Sequence, residues 1–106
     1  MFIMDIISLK NVIMEATKAI EDNTSLFYQQ KNKEAYEMLD STLTLLIGTT
    51  NKILDLKNEN KEIKIDGHEI NIVLENSMKA IEVSDTILLS DILLFDLKPL
   101  LEQIIA

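Results

Sequence analysis

The sequence predicts an all-α protein, an antiparallel four-helix bundle, on three observations. Two glycines and one proline in 106 residues supply too few turns for a strand-rich domain. Apolar residues recur at steps of three and four over long segments, the period of a helix face. Hydrophobic residues make up 47% and charged residues 26%, the balance of a chain that folds around one core, and the length suits a single domain over residues 1–106.

The first helix is expected over about residues 2–30. Phe2, Ile6, Leu9, Ile13, Ala16 and Ile20 step by 4, 3, 4, 3 and 4 along one stripe, and Phe27 keeps the phase. Asn23 and Ser25 compete with the backbone for hydrogen bonds, so a break near them is the alternative. The segment Lys31–Asn32–Lys33 brings cations to the negative pole of this helix, and Glu34 suits the start of the next. So short a turn makes the first two helices antiparallel neighbours.

The second helix is expected over 34–57, with Tyr36, Leu39, Leu43, Leu46, Thr50 and Ile53 on its stripe and Leu45, Ile47 and Leu54 widening it. Gly48 inside it costs about 1 kcal/mol relative to alanine, and a close approach of a neighbouring helix would explain it. Lys57 to Gly67 is polar and lysine-rich, a loop whose Ile63 and Ile65 suggest a brief extended piece. A third helix, 67–82, carries Ile70, Val73, Leu74, Met78 and Ile81.

A fourth helix, 85–105, is capped by Ser84 or Asp85 and is apolar on nearly every side, so nearly every side needs cover. Pro99 lies within it. Its ring would press on the carbonyl of Phe95, so a kink near Pro99 is expected, or a break with Asp96 capping a last short turn.

Chemistry-bearing motifs are scarce. There is no cysteine, which excludes disulfides and thiolate metal sites, and all ten basic residues are lysine, which removes the bidentate guanidinium contacts nucleic-acid binding favours. Net charge is −8, with −2 on residues 1–64 and −6 on residues 65–106. The acidic half reads as a solubilising surface. His68, the one histidine, has no recognisable nucleophile or second ligand; Ile65, three residues before it, breaks the Glu-x-x-His pattern of di-iron bundles. The arginine-to-histidine motif of small helical ribonucleases cannot form, and phosphate-binding glycine loops are missing. Asp85, Asp91 and Asp96 project about 120° and 140° apart on a helix and do not converge. No catalytic residue, metal or cofactor is expected. Met1, Met4, Met14, Met38 and Met78 read mainly as core. The N-terminus lacks a basic segment and cleavage site, and no run of 18 uncharged apolar residues occurs, so a cytoplasmic protein without membrane insertion is expected.

The segments E-A-Y-E-M-L-D-S-T-L-T-L-L-I and A-I-E-V-S-D-T-I-L-L-S-D-I-L-L-F-D-L-K-P-L-L-E-Q carry a resemblance. The latter of these resembles the C-terminal part of small, largely uncharacterised helical proteins of Gram-positive bacteria. The whole chain is similar in size, acidity and helix pattern to flagellar export chaperones. That resemblance implies a bundle that holds an aggregation-prone client helix until export. It carries no catalytic set.

The function expected from these observations is non-enzymatic: a protein–protein interaction module, a small chaperone or adaptor, that binds another protein or a second copy of itself as a homodimer. Ile87, Asp91, Leu94, Leu101 and Ile105 on the fourth helix are the expected partner-binding residues. Asp91 on that apolar helix is expected to meet a lysine across the interface. The alternative is an acidic regulatory protein, an antitoxin or nucleic-acid mimic, with its acids grouped on one face.

Overall fold

Four helical rods make up residues 2–59 and 67–104, the residues described in a computed structural model. They are α1 (Phe2–Tyr28), α2 (Asn32–Glu59), α3 (Gly67–Glu82) and a C-terminal rod of α4 (Thr86–Asp91), a π-helical segment (Ile92–Leu97) and α5 (Lys98–Ile104). The expected extended piece at Ile63 and Ile65 lies outside the described residues, as does Ile105.

Helix length and molecular shape fix the arrangement. At 1.5 Å per residue α1 and α2 are each about 40 Å long, and the molecule measures 43 × 22 × 20 Å. Both helices therefore lie along the long axis, and the other two dimensions hold two helices each. The connections between α1 and α2 and between α3 and α4 are three residues long, so each pair is antiparallel. Packing follows the order α2, α1, C-terminal rod, α3 around a square: α1 lies against α2 and the whole rod, while α3 lies against α4 and the π segment.

The predicted stripes supply most of the core. Leu9, Ile13, Ala16, Ile20 and Phe27 from α1 are buried, with Leu39, Leu46 and Ile53 from α2 and Ile70 and Val73 from α3. No break occurs at Asn23. Its side chain points inward, and Nδ2 donates to the Ala35 carbonyl at 3.0 Å, clamping α1 to the start of α2. The buried hydroxyls disturb the helices little, because each finds an acceptor on its own helix. Thr24, Thr42, Thr49, Thr50, Ser77 and Ser90 all donate to the carbonyl four residues back.

Helices α1 and α3 end in the same way. Gln30 and Ser84 take positive φ, 62° and 56°. Lys31 N–H reaches Leu26 O and Asp85 N–H reaches Ala80 O, while Gln30 and Ser84 bond Phe27 O and Ile81 O. This is the Schellman closure, built without the usual glycine. Asp85 then caps α4, its Oδ1 accepting from Leu88 N–H at 2.9 Å. Left-handed backbone costs a side-chain-bearing residue about 1 kcal/mol, so Ser84→Gly should stabilise the fold by roughly 0.5–1 kcal/mol in urea denaturation.

The two glycines differ from expectation. Gly48 is exposed, and an added Cβ would meet nothing within 4 Å, so it serves no close approach. Gly48→Ala should stabilise α2 by about 0.5–1 kcal/mol, read as a raised urea midpoint at unchanged m. The close approach belongs to Gly67, where a Cβ would come within 3.0 Å of Leu54 Cδ2.

Pro99 breaks nothing, and Asp96 caps no helix, because the chain stays helical through it. The strain is absorbed upstream, where Lys98 N–H bonds Leu93 O, five residues back. This wider turn makes room for a ring that would otherwise press on the Phe95 carbonyl. It also resets the phase of the rod. Leu89, Leu93, Leu97 and Leu101, at steps of four, are all 0–1% exposed. In a plain α-helix three such steps drift about 120°; π turns hold the row on the core.

Candidate functional site

Three sides of the square are packed along their length, and the fourth is not. Helices α2 and α3 approach closely where Gly67 meets Leu54. Further along, they are separated by a groove of about 550 Å³, walled by Leu43 and Ile47 on α2 and Leu74 and Met78 on α3, with Leu46 and Ser77 at its base. Ile47 is 54% and Met78 50% exposed, while Leu46 and Ser77 are buried. The groove opens onto the core itself. Asn71 and Glu75 edge it.

Why the chain leaves this side open can be traced residue by residue. On α2, Leu39, Leu46 and Ile53 of the predicted stripe are buried, while Leu43 on that stripe is half-buried and Ile47, which widens it, is exposed. On α3, Ile70, Val73 and Ala80 are buried, and Leu74 and Met78 fall on the flank toward α2. Met78 and Met14 are exposed, against the expectation that the methionines fill the core. Met78 contributes an unbranched, adaptable side chain to the groove wall.

The described members of the expected partner-binding set are not equally exposed. Ile87 is 49% exposed, Leu94 is half-buried, and Leu101, at 1%, belongs to the core. The sequence pattern extrapolates an α-helical phase through the π segment, and the wider turn carries Leu101 inward.

Asp91 is exposed, and among the described residues it forms no ion pair with a lysine of its own chain. It accepts a hydrogen bond from Tyr28 Oη at 2.5 Å, tying the C-terminal rod to the end of α1 within one chain. Two turns further along, Lys98 Nζ lies 3.1 Å from Glu21 across the same seam. Burial, and then the hydrogen bond and charge of Asp91, push the Tyr28 hydroxyl up to about 12. The neutral phenol is thus favoured in the fold, so Tyr28 contributes stability below about pH 10 that is lost as pH rises from 10 toward 12. A tyrosinate absorbance step near pH 12 is expected in the native protein. It should vanish in Tyr28→Phe and move down in Asp91→Ala, which removes two of the three causes.

Among the described residues that line the groove, Glu75 is the one titratable side chain. His68 is exposed in the first turn of α3, Asp85 is a cap, and Asp96 is exposed. Among the described residues no group of three or more histidines and carboxylates is placed to hold a metal ion. Within the same residues no helix is long and apolar enough to cross a membrane.

The fold and groove together define an all-α bundle with one side incompletely closed. No curated protein and no solved structure matches the chain. Over residues 6–106 it matches the model of a family described as a domain of unknown function, DUF8042, and the chain belongs to that family.

Proposed function

We propose that this protein is a non-enzymatic protein–protein interaction module of the chaperone or adaptor kind, acting in the cytoplasm, and that the groove between α2 and α3 receives the partner. One observation carries the reading: apolar side chains of two helices stand half-exposed around an opening into the core, in a bundle whose other three sides are packed. Such a concave apolar surface is the shape used by helix-in-groove recognition. Exposed acids occur on every helix, including Glu15, Glu37, Glu82 and Glu102, which favours this reading over an acidic mimic with one charged face.

The test is co-purification from the native organism with wild-type chain and with Ile47→Glu/Met78→Glu. The expected result is loss of the partner from the variant, at least about tenfold in recovered amount, with helical circular dichroism retained. The half-exposed positions also permit the milder Ile47→Gln/Met78→Gln should the charged pair impair folding. A partner that is recovered equally from wild type and a folded variant contradicts the proposal.

A further inference from the structure

The charges around the groove point to the chemistry of its occupant. Two walls present apolar pairs four residues apart, Leu43 with Ile47 and Leu74 with Met78. Each pair spans about 6 Å of helix rise, the separation of anchors i and i+4 on a docked helix. Beside these walls stand acids. Glu75 edges the groove directly. Glu82 follows it by seven residues on the same face of α3, and Asp40 precedes Ile47 by seven on α2. All three are exposed, and none is in an ion pair among the described residues. Lys79 neighbours Glu75 and Glu82 along α3 without an ion pair to either, and it borders the opposite, α4 side with Ala80 and Leu88. Lys33 lies about two turns before Asp40.

An apolar floor with unpaired carboxylates on both banks is complementary to one kind of ligand. We infer that the occupant is an amphipathic helix of another protein, with apolar anchors at i, i+3 or i+4 and i+7 flanked by lysine or arginine. This rests on the reading of the groove as the interaction surface. A second copy of the chain is a poorer match. Pairing groove against groove would set Asp40, Glu75 and Glu82 of one copy near the same acids of the other, and like charges brought together at an interface are repulsive. The basic flanks would instead speed encounter with a protein of net charge −8 and fix the orientation of the bound helix.

A displayed library of helices of about 15 residues, with leucine at the anchor positions and the rest drawn from lysine, glutamate, glutamine and alanine, can be selected against the whole chain. Lysine should be enriched beside the anchors. Binding of the selected peptides should weaken at least about tenfold in Glu75→Lys/Glu82→Lys, fall with added salt, and disappear in Ile47→Gln/Met78→Gln. Selection on Glu75→Lys/Glu82→Lys should turn the preference toward glutamate. An acidic or indifferent preference, an absence of binders, or binding that survives Ile47→Gln/Met78→Gln would overturn the inference. A chain that is dimeric in solution and becomes monomeric in Ile47→Gln/Met78→Gln would overturn it too, in favour of a second copy. Each of these results leaves the groove's role as an interaction surface to the co-purification test, which fails separately if the native partner ignores Ile47 and Met78.

Discussion

Leu93→Ala is expected to remove about 2–5 kcal/mol of stability, a large part of the roughly 5–15 kcal/mol that holds a domain of this kind folded. Leu93 is fully buried at the middle of the inner leucine row, in the π segment that packs against both α1 and α3. Truncation there removes transfer energy and leaves a cavity between elements that cannot close it without shifting two helices. Ile87→Ala, on the half-exposed outer side of α4, should cost under about 1 kcal/mol. Urea denaturation of both variants measures the contrast. Equal losses would mean that the rod is rotated from the position described.

The second large effect is expected at Asn23. Its amide is buried, Nδ2 donates to Ala35 O, and Oδ1 has no partner among the described residues. Asn23→Asp would place an ionised carboxylate against a carbonyl oxygen inside the core, at a cost of about 3 kcal/mol or more. The sign of the pH dependence follows. Burial raises the folded carboxyl above the unfolded value of about 3.9, so the protonated form is the one the fold favours. The deficit relative to wild type should be smallest below about pH 4, where the acid can donate to Ala35 O as the amide does. It should grow as pH rises from the unfolded-state value toward the folded-state one. A deficit independent of pH would show that residue 23 is hydrated. Asn23→Leu, which removes the orphan acceptor along with the clamp, should cost far less than Asn23→Asp.

Periodicity carries the fold, and the reason lies in how helices bury their faces. Leu9, Ile13, Ala16, Ile20 and Phe27 share one stripe by spacing alone and one core in the structure. The short turn expected at Lys31–Lys33 falls slightly earlier, at residues 29–31, and still makes α1 and α2 antiparallel neighbours. Where tertiary context decides, local reading misleads. Glycine often marks a helix contact, which points to Gly48, but the contact falls at Gly67, whose neighbour Leu54 lies on another helix. Asn23 suggests a break because its polarity is local information, and its partner on α2 is not.

The candidate site is legible only in part. The sequence holds its greatest apolar excess in the fourth helix, and a helix greasy on all sides points to an outside cover. The structure covers most of that helix with α1 and α3 and leaves the opening between α2 and α3. Four leucines at steps of four, Leu89, Leu93, Leu97 and Leu101, on either side of Pro99, are the signal that the α-helical phase does not hold. In α2, Leu43 on the predicted stripe and Ile47, which widens it, look like parts of one core face. Nothing local distinguishes a residue that widens a core from one that rims a groove, because the distinction is made by how near α3 comes.

Whether the partner lies between α2 and α3 can be read by crosslinking. A photo-reactive amino acid is placed in the whole chain, in its native cells, at Ile47, Met78, Ile87 or Met14, all half-exposed positions, and the adducts are identified by mass spectrometry. Positions 47 and 78 should capture the same helical segment of one protein, with positions 14 and 87 giving little. Equal capture at all four positions, or capture of that protein at 87 but not at 47 and 78, would place the partner elsewhere and refute the groove as its site.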